Sequence, residues 1–230
     1  MTRFDRQKPI IGEEGQDRIC SAHVAVAGCG GLGCNVITQL ISAGVRHITI
    51  IDHDVITESD LNRQFVYAGK SGRKVSAMKD WILSLAPDAD VTAIDGRLTD
   101  ENSDDFLKDV DIAVDCLDDN SSRFILNDAV LRRNIPLVHG AIDSMYGQVT
   151  VVILGKTPCL GCILRKKDAG LIPSVPSAVS FIASVQINEV LKIVTGKGRT
   201  LAGKLFTADL ENMVFDTIDI KKDPNCEHCR

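Results

Sequence analysis

A chain of 230 residues with 44% apolar composition can bury one substantial core, enough for one large domain or a domain with a small appendix. Its formal net charge of −5, with no long basic run, argues against a nucleic-acid partner. Residues 1–10 hold no apolar run of signal-peptide length, and the uncharged stretch 24–45 is broken by five glycines and by Asn35, Thr38, Gln39 and Ser42, so a cytoplasmic protein with no membrane association is expected.

In chain order, residues 22–27 form a short apolar run that enters a glycine cluster. Val36, Ile37, Leu40 and Ile41 then recur at helical spacing, with Gly44 as a stop. Residues 47–51 read as a second buried strand ending at Asp52. Val75, Met78, Ile82 and Leu85 mark a helix stopped by Pro87, followed by a strand over 91–94. A helix over 101–108, a strand over 111–116, a helix over 122–133 and a strand over 137–140 continue the alternation. Helices alternating with apolar strands predict an α/β fold, a doubly wound, Rossmann-like and mainly parallel sheet. The last third changes character. A strand over 148–154, a long buried helix over 177–195 and a hairpin of 205–210 with 213–220 around Glu211-Asn212 predict an antiparallel extension. No repeat or polar linker forces a boundary, so residues 1–230 read as one domain, with a nucleotide-binding core over 22–142 and an extension over 143–230.

The motif Gly28-Cys29-Gly30-Gly31-Leu32-Gly33 lies between the first strand and its helix, and Asp52 closes the second strand. Glycines let backbone approach a phosphate, the helix N-terminus supplies unpaired N–H groups, and a carboxylate at Asp52 suits ribose hydroxyls. Alone this pattern says nucleotide, most often NAD or FAD, so a nicotinamide-dependent oxidoreductase is a competing reading. The stretch 52–64 after it is unusually polar. Arg63 and Lys74 are cations of the kind that triphosphate chemistry needs, and no convincing hydride-transfer His or Lys accompanies them.

Four of the eight cysteines form two Cys-x-x-Cys pairs, Cys159 with Cys162 and Cys226 with Cys229. Two such pairs supply four thiolates for a tetrahedral Zn²⁺ that would clamp the C-terminal tail, a closed and therefore structural site. His228, inside the second pair, is an alternative ligand.

The glycine motif, the 52–64 stretch, Lys74 in Gly72-Arg73-Lys74-Val75, Asp115-Cys116-Leu117-Asp118 and the two cysteine pairs occur in the order in which the MoeB/ThiF/HesA family carries them. The chain resembles that family, the bacterial relatives of ubiquitin-activating enzymes, from Arg6-Gln7 to Cys229. The resemblance implies adenylation, with Mg-ATP, of the C-terminal glycine of a small ubiquitin-like sulfur-carrier protein ending in Gly-Gly. By the same resemblance Asp52 holds the ribose, Arg63 and Lys74 bind phosphates, and Asp118 holds Mg²⁺. Gly28, Gly30, Gly31, Gly33, Asp54, Asn62 and Gln64 complete the nucleotide site. Arg6 matches an arginine that reaches into the partner subunit's site, which implies a homodimer, and the extension over 143–230 would bind the carrier.

Two positions depart from the pattern. The family usually has asparagine where Asp60 stands, and often where Asp119 stands. Counting back from Arg123 selects Asp118 for the metal, with Asp119 as the alternative. An added carboxylate near ATP would raise the demand for Mg²⁺ or weaken nucleotide binding, and a non-catalytic scaffold is the corresponding alternative. Relatives that form thioesters or transfer sulfur carry a reactive cysteine in the loop crossing the site. Here that loop, 164–177, has none, and Cys20, Cys29, Cys34 and Cys116 read as core thiols. The expected activity is adenylation without a covalent thioester step.

Overall fold

The computed structural model describes residues 3–164 and 172–229. Two short helices open the chain, α1 (Lys8–Ile11) and α2 (Glu13–Ser21). The sequence of α2 is largely polar and α1 is a single turn, and sequence periodicity predicted neither. They are fixed by side chains instead: Gln7 and Gln16 each donate through Nε2 to the Ala43 carbonyl, at 2.6 and 3.1 Å.

From there the predicted alternation is present. Strand β1 (His23–Ala27) leads into α3 (Gly31–Ala43) and β2 (His47–Asp52). Helix α3 stops at Gly44, whose left-handed φ of 118° closes the last turn, so the predicted stop is in place. Then follow α4 (Lys74–Leu85), β3 (Asp90–Asp95), α5 (Asp100–Phe106), β4 (Ile112–Asp115), α6 (Asn120–Arg133) and β5 (Leu137–Asp143). The last third comprises β6 (Tyr146–Val152), α7 (Leu160–Ile163), α8 (Pro176–Thr195), β7 (Lys204–Asp209) and β8 (Val214–Asp219). Of the crossover segment 164–177, residues 165–171 lie outside the described residues, and with them most of the reading made for that loop.

One eight-stranded sheet runs in the order β3-β2-β1-β4-β5-β6-β7-β8. The strands from β3 to β5 are parallel, and β6, β7 and β8 join antiparallel. Successive β1 residues feed opposite layers. Val24 and Val26 pack in the core shared with α3, α4 and α8, while Ala25 and Ala27 pack in the core shared with α5 and α6. Strands covered on both faces read as unbroken apolar runs, which is why β1 and β2 were legible. Helix α8 is apolar and long enough to suit a membrane span by composition, yet Val179, Ile182, Ala183 and Val190 are buried on it, together with the polar Gln186 and Glu189. It is a core helix packed on α3 and the sheet.

The sheet order reverses between β1 and β4: the chain runs outward from β1 to β2 and β3, then returns to β4 on the other side. Open α/β sheets bind ligands in the crevice at the carboxyl ends of the strands flanking such a reversal.

Candidate active site

The residues at that crevice explain its shape. Gly28 leaves β1 with φ of 95°, and a Cβ there would lie 2.6 Å from the Cys116 carbonyl oxygen at the end of β4. Among the described residues, no side chain caps the N-terminus of helix α3, so its first N–H groups are left open at the crevice. Asp52 Oδ2 accepts from the Cys29 N–H at 2.6 Å and Oδ1 from the Asp54 N–H at 2.7 Å. Burial raises the Asp52 pKa from its ordinary value, partly offset by those two N–H donors.

The crevice is a pocket of about 450 Å³. It gathers Gly28, Gly30, Gly31, Asp52, Asp54, Arg63, Gln64, Lys74 and Asp118, residues scattered over ninety positions of sequence. Lys74, its side chain 6% exposed, places Nζ 3.2 Å from Asp54 Oδ2 and 3.2 Å from Asp60 Oδ1. Burial opposes its charge, but Asp54, Asp60 and Asp52 outweigh that and raise its pKa. Asp60 is buried and saturated with donors: the Thr57 N–H and hydroxyl, Gln64 Nε2 and Lys74. Desolvation is outweighed by those donors, and its pKa is lowered. Arg63 lies along α3, where a Cβ on Gly31 would come within 3.4 Å of its Nε, and its Nη1 donates to the Ser59 carbonyl and to Asn62 Oδ1.

Three predicted residues stand outside the pocket lining. A Cβ on Gly33 would lie 1.9 Å from the Gly28 carbonyl oxygen, so Gly33 serves close packing of α3 on the turn. Asn62 is exposed and engaged by Arg63. Arg6 is exposed in the turn before α1.

The adjacent aspartates differ in their surroundings. Asp119 caps α6, its Oδ1 accepting from the Ser122 N–H at 2.7 Å, with Arg97 3.6 Å from Oδ2. Asp118 is exposed at the pocket. Behind it, fully buried Asp115 accepts from the Leu117 N–H at 3.0 Å and from His139 Nδ1 at 2.6 Å. Arg123 Nη2 donates to the Leu117 carbonyl at 2.6 Å, so both backbone groups of Leu117 are held beside Asp118. Arg97 and Arg123 also line the pocket. Sequence reasoning assigned neither a binding role, although Arg97 lies just past the carboxyl end of β3, where such a role is expected.

Away from the pocket, the sulfurs of Cys159, Cys162, Cys226 and Cys229 all lie within 4.8 Å of one another. Cys159 is 3.6 Å from Cys226 and Cys162 is 3.5 Å from Cys229. A tetrahedral Zn–S₄ centre, with Zn–S of about 2.3 Å, requires sulfur separations of about 3.8 Å, so these residues fit that metal. His228 is not in the cluster; its Nδ1 meets Asp128 Oδ1 at 2.7 Å and its ring stacks on Phe124.

A glycine cradle at the reversal of a doubly wound sheet, with cations and carboxylates converging on it, defines a nucleotide-using enzyme. The chain belongs to the ThiF family, whose model matches residues 4–228. It is 34% identical over 245 residues to the sulfur carrier protein adenylyltransferase of Thermus thermophilus, covering 100% of this chain and 90% of that protein. It is 31% identical over 228 residues to the SAMP-activating enzyme E1 of Haloferax volcanii, covering 95% of this chain and 84% of that one. Among solved structures, E. coli MccB with ATP superposes with a TM-score of 0.87 at 20% identity, over 99% of this chain and 74% of MccB, a likeness of fold. The protein is an adenylyltransferase.

Proposed function

We propose that this protein transfers the adenylyl group of ATP to the C-terminal glycine carboxylate of a small ubiquitin-like sulfur-carrier protein ending in Gly-Gly. The observation that carries the reading is the convergence of Arg63 and Lys74 on a glycine cradle beside the exposed Asp118. A carboxylate oxygen attacks the α-phosphorus, the bond to the oxygen bridging to the β-phosphorus breaks, and pyrophosphate leaves with that electron pair. Attack brings two negative groups together, so catalysis rests on neutralising charge as it shifts, the task given to Arg63 and Lys74. The acceptor is ionised at neutral pH, so no general base is required. Asp52 orients the ribose, and the α3 N–H groups orient phosphate. Asp118 would hold Mg²⁺, which when bound screens the phosphate charge.

Arg6 is exposed and outside its own chain's pocket, which supports a homodimer whose sites are completed in trans. The carrier is assigned to one face of the extension, residues 143–230. Pairing register sets Tyr146 beside Asp209 and Val214, and Thr150 beside Leu205 and Ile218, on the face opposite Phe206 and Phe215, which pack with Phe181 of α8. Tyr146, Val214 and Ile218 are each about half exposed. The four-cysteine cluster is assigned a structural Zn²⁺, and the protein to the cytoplasm.

Cys116 lines the pocket, but burial pushes its pKa well up and keeps it a thiol, which supports adenylation without a thioester on this chain. Among the described residues, no hydride-transfer group stands out in favour of the oxidoreductase reading. ATP–pyrophosphate exchange tests the proposal: exchange should require a Gly-Gly-ending carrier and be abolished by Arg63→Ala or Lys74→Ala. Tight NAD binding without ATP binding would overturn it, and a protein that binds ATP but supports no exchange would be a scaffold.

A further inference from the structure

Among the described residues, the pocket lining carries five carboxylates, Asp52, Asp54, Asp60, Asp118 and Asp119, and four cations, Arg63, Lys74, Arg97 and Arg123. Most of those cations are engaged. Arg97 faces Asp119 at 3.6 Å, Arg123 faces Asp115 at 3.5 Å, and Lys74 is shared between Asp54 and Asp60 at 3.2 Å each. Lys74 and Arg123 are the buried ones, and Asp60, 6% exposed, is the buried partner of Lys74.

We propose that Asp60 makes this site selective for the metal-complexed nucleoside triphosphate, by holding Lys74 on carboxylate instead of leaving it to the phosphates. The inference rests on the reading of the pocket as an ATP site. A bare triphosphate that reaches Lys74 meets a buried ammonium already flanked by two carboxylates. A triphosphate that brings its own divalent cation does not depend on Lys74 to offset its charge. Asp60 therefore acts through Lys74 as a specificity-determining residue.

The geometry also says that Asp60→Asn can be accommodated. Asp60 Oδ2 takes the Thr57 N–H and hydroxyl, each at 2.9 Å, and an amide oxygen can do the same. Oδ1 takes Gln64 Nε2 at 2.9 Å, and the buried Gln64 Oε1 has no hydrogen-bond partner among the described residues. Turning the Gln64 amide over presents that oxygen to the new NH₂ group. What D60N then loses is its hold on Lys74.

The test is calorimetric titration of the full chain with ATP, in excess Mg²⁺ and in excess EDTA, on the wild type and on D60N, with melting curves to confirm folding. Wild type should bind far more weakly without Mg²⁺, and D60N should shrink that ratio by about fivefold, the scale of one ion pair. Asp54→Asn, which removes the half-exposed partner of Lys74, should shrink it less but in the same direction. An unchanged ratio in D60N, or in D54N if D60N does not fold, overturns the inference. Wild type that binds ATP equally well with and without Mg²⁺ overturns it too, while leaving adenylation intact. Metal-selective ATP binding without transfer to any carrier would leave the inference standing and remove the acceptor assignment.

Discussion

Gly33 sits directly against the carbonyl of Gly28: a Cβ at position 33 would lie 1.9 Å from that oxygen, closer than any nonbonded contact allows. The neighbour is backbone, and it belongs to the turn whose φ of 95° already demands glycine. The second and fourth glycines of the motif therefore have separate tasks, Gly30 opening to the pocket and Gly33 seating the helix. Gly33→Ala should destabilise the protein by about 3 kcal/mol or more and remove ATP binding. Gly96→Ala, with no described residue within 4 Å of its Cβ, should change stability by no more than about 0.5 kcal/mol. Chemical denaturation of the two variants checks both.

Asp118 and Asp119 should separate by what they lose. Asp119→Ala removes the α6 N-cap and should cost about 1 kcal/mol of stability. Asp118→Ala should leave melting nearly unchanged and raise the Mg²⁺ concentration needed for half-maximal pyrophosphate exchange. If Asp119→Ala produced the shift in Mg²⁺ demand and Asp118→Ala did not, the metal assignment would move one residue along.

The four thiols should hold one zinc per chain, measured by elemental analysis. Cys159→Ser or Cys226→Ser should lose it and lower the melting temperature, because the tail around Cys226–Cys229 is otherwise tied down by few buried groups. His228→Ala should retain the metal, since its ring faces Asp128.

Acid stability reports on the Lys74 cluster. Asp60 has a lowered pKa in the folded state, so its contribution is fully present above the ordinary carboxylate value of about 4 and is lost as pH falls through the lowered value. Lys74 has the opposite shift, so its contribution is lost as pH rises past about 10.4 and through the raised value. Denaturation midpoints of the wild type should fall on acidification below about pH 4, and less steeply in Lys74→Ala, which removes a donor from Asp60.

The architecture was legible where one physical signal dominated. Buried strands at 22–27 and 47–51, the Gly44 stop and the 205–220 hairpin all match the structure to within about two residues. The N-terminal helices were not, because α2 is held by Gln16 reaching Ala43 and not by an apolar stripe. Lys74 and Arg63, which the family resemblance assigned to phosphates, lie in one pocket with the glycine turn. Arg97 was not legible, because the pairing that brings β3 to the sheet edge, and Arg97 to Asp119, exists only in three dimensions. For Asp60 the sequence already suggested a greater demand for Mg²⁺, but the partner was hidden, since only geometry brings that carboxylate to Lys74.

The central claim is transfer of an adenylyl group to a carrier carboxylate. It is tested most directly by incubating the protein with Mg-ATP and a Gly-Gly-ending carrier captured by pull-down, then measuring the carrier's intact mass. The account predicts a carrier heavier by one AMP moiety, lost when Lys74 is replaced by alanine. An unmodified carrier, or one joined to this chain through a thioester, would contradict it.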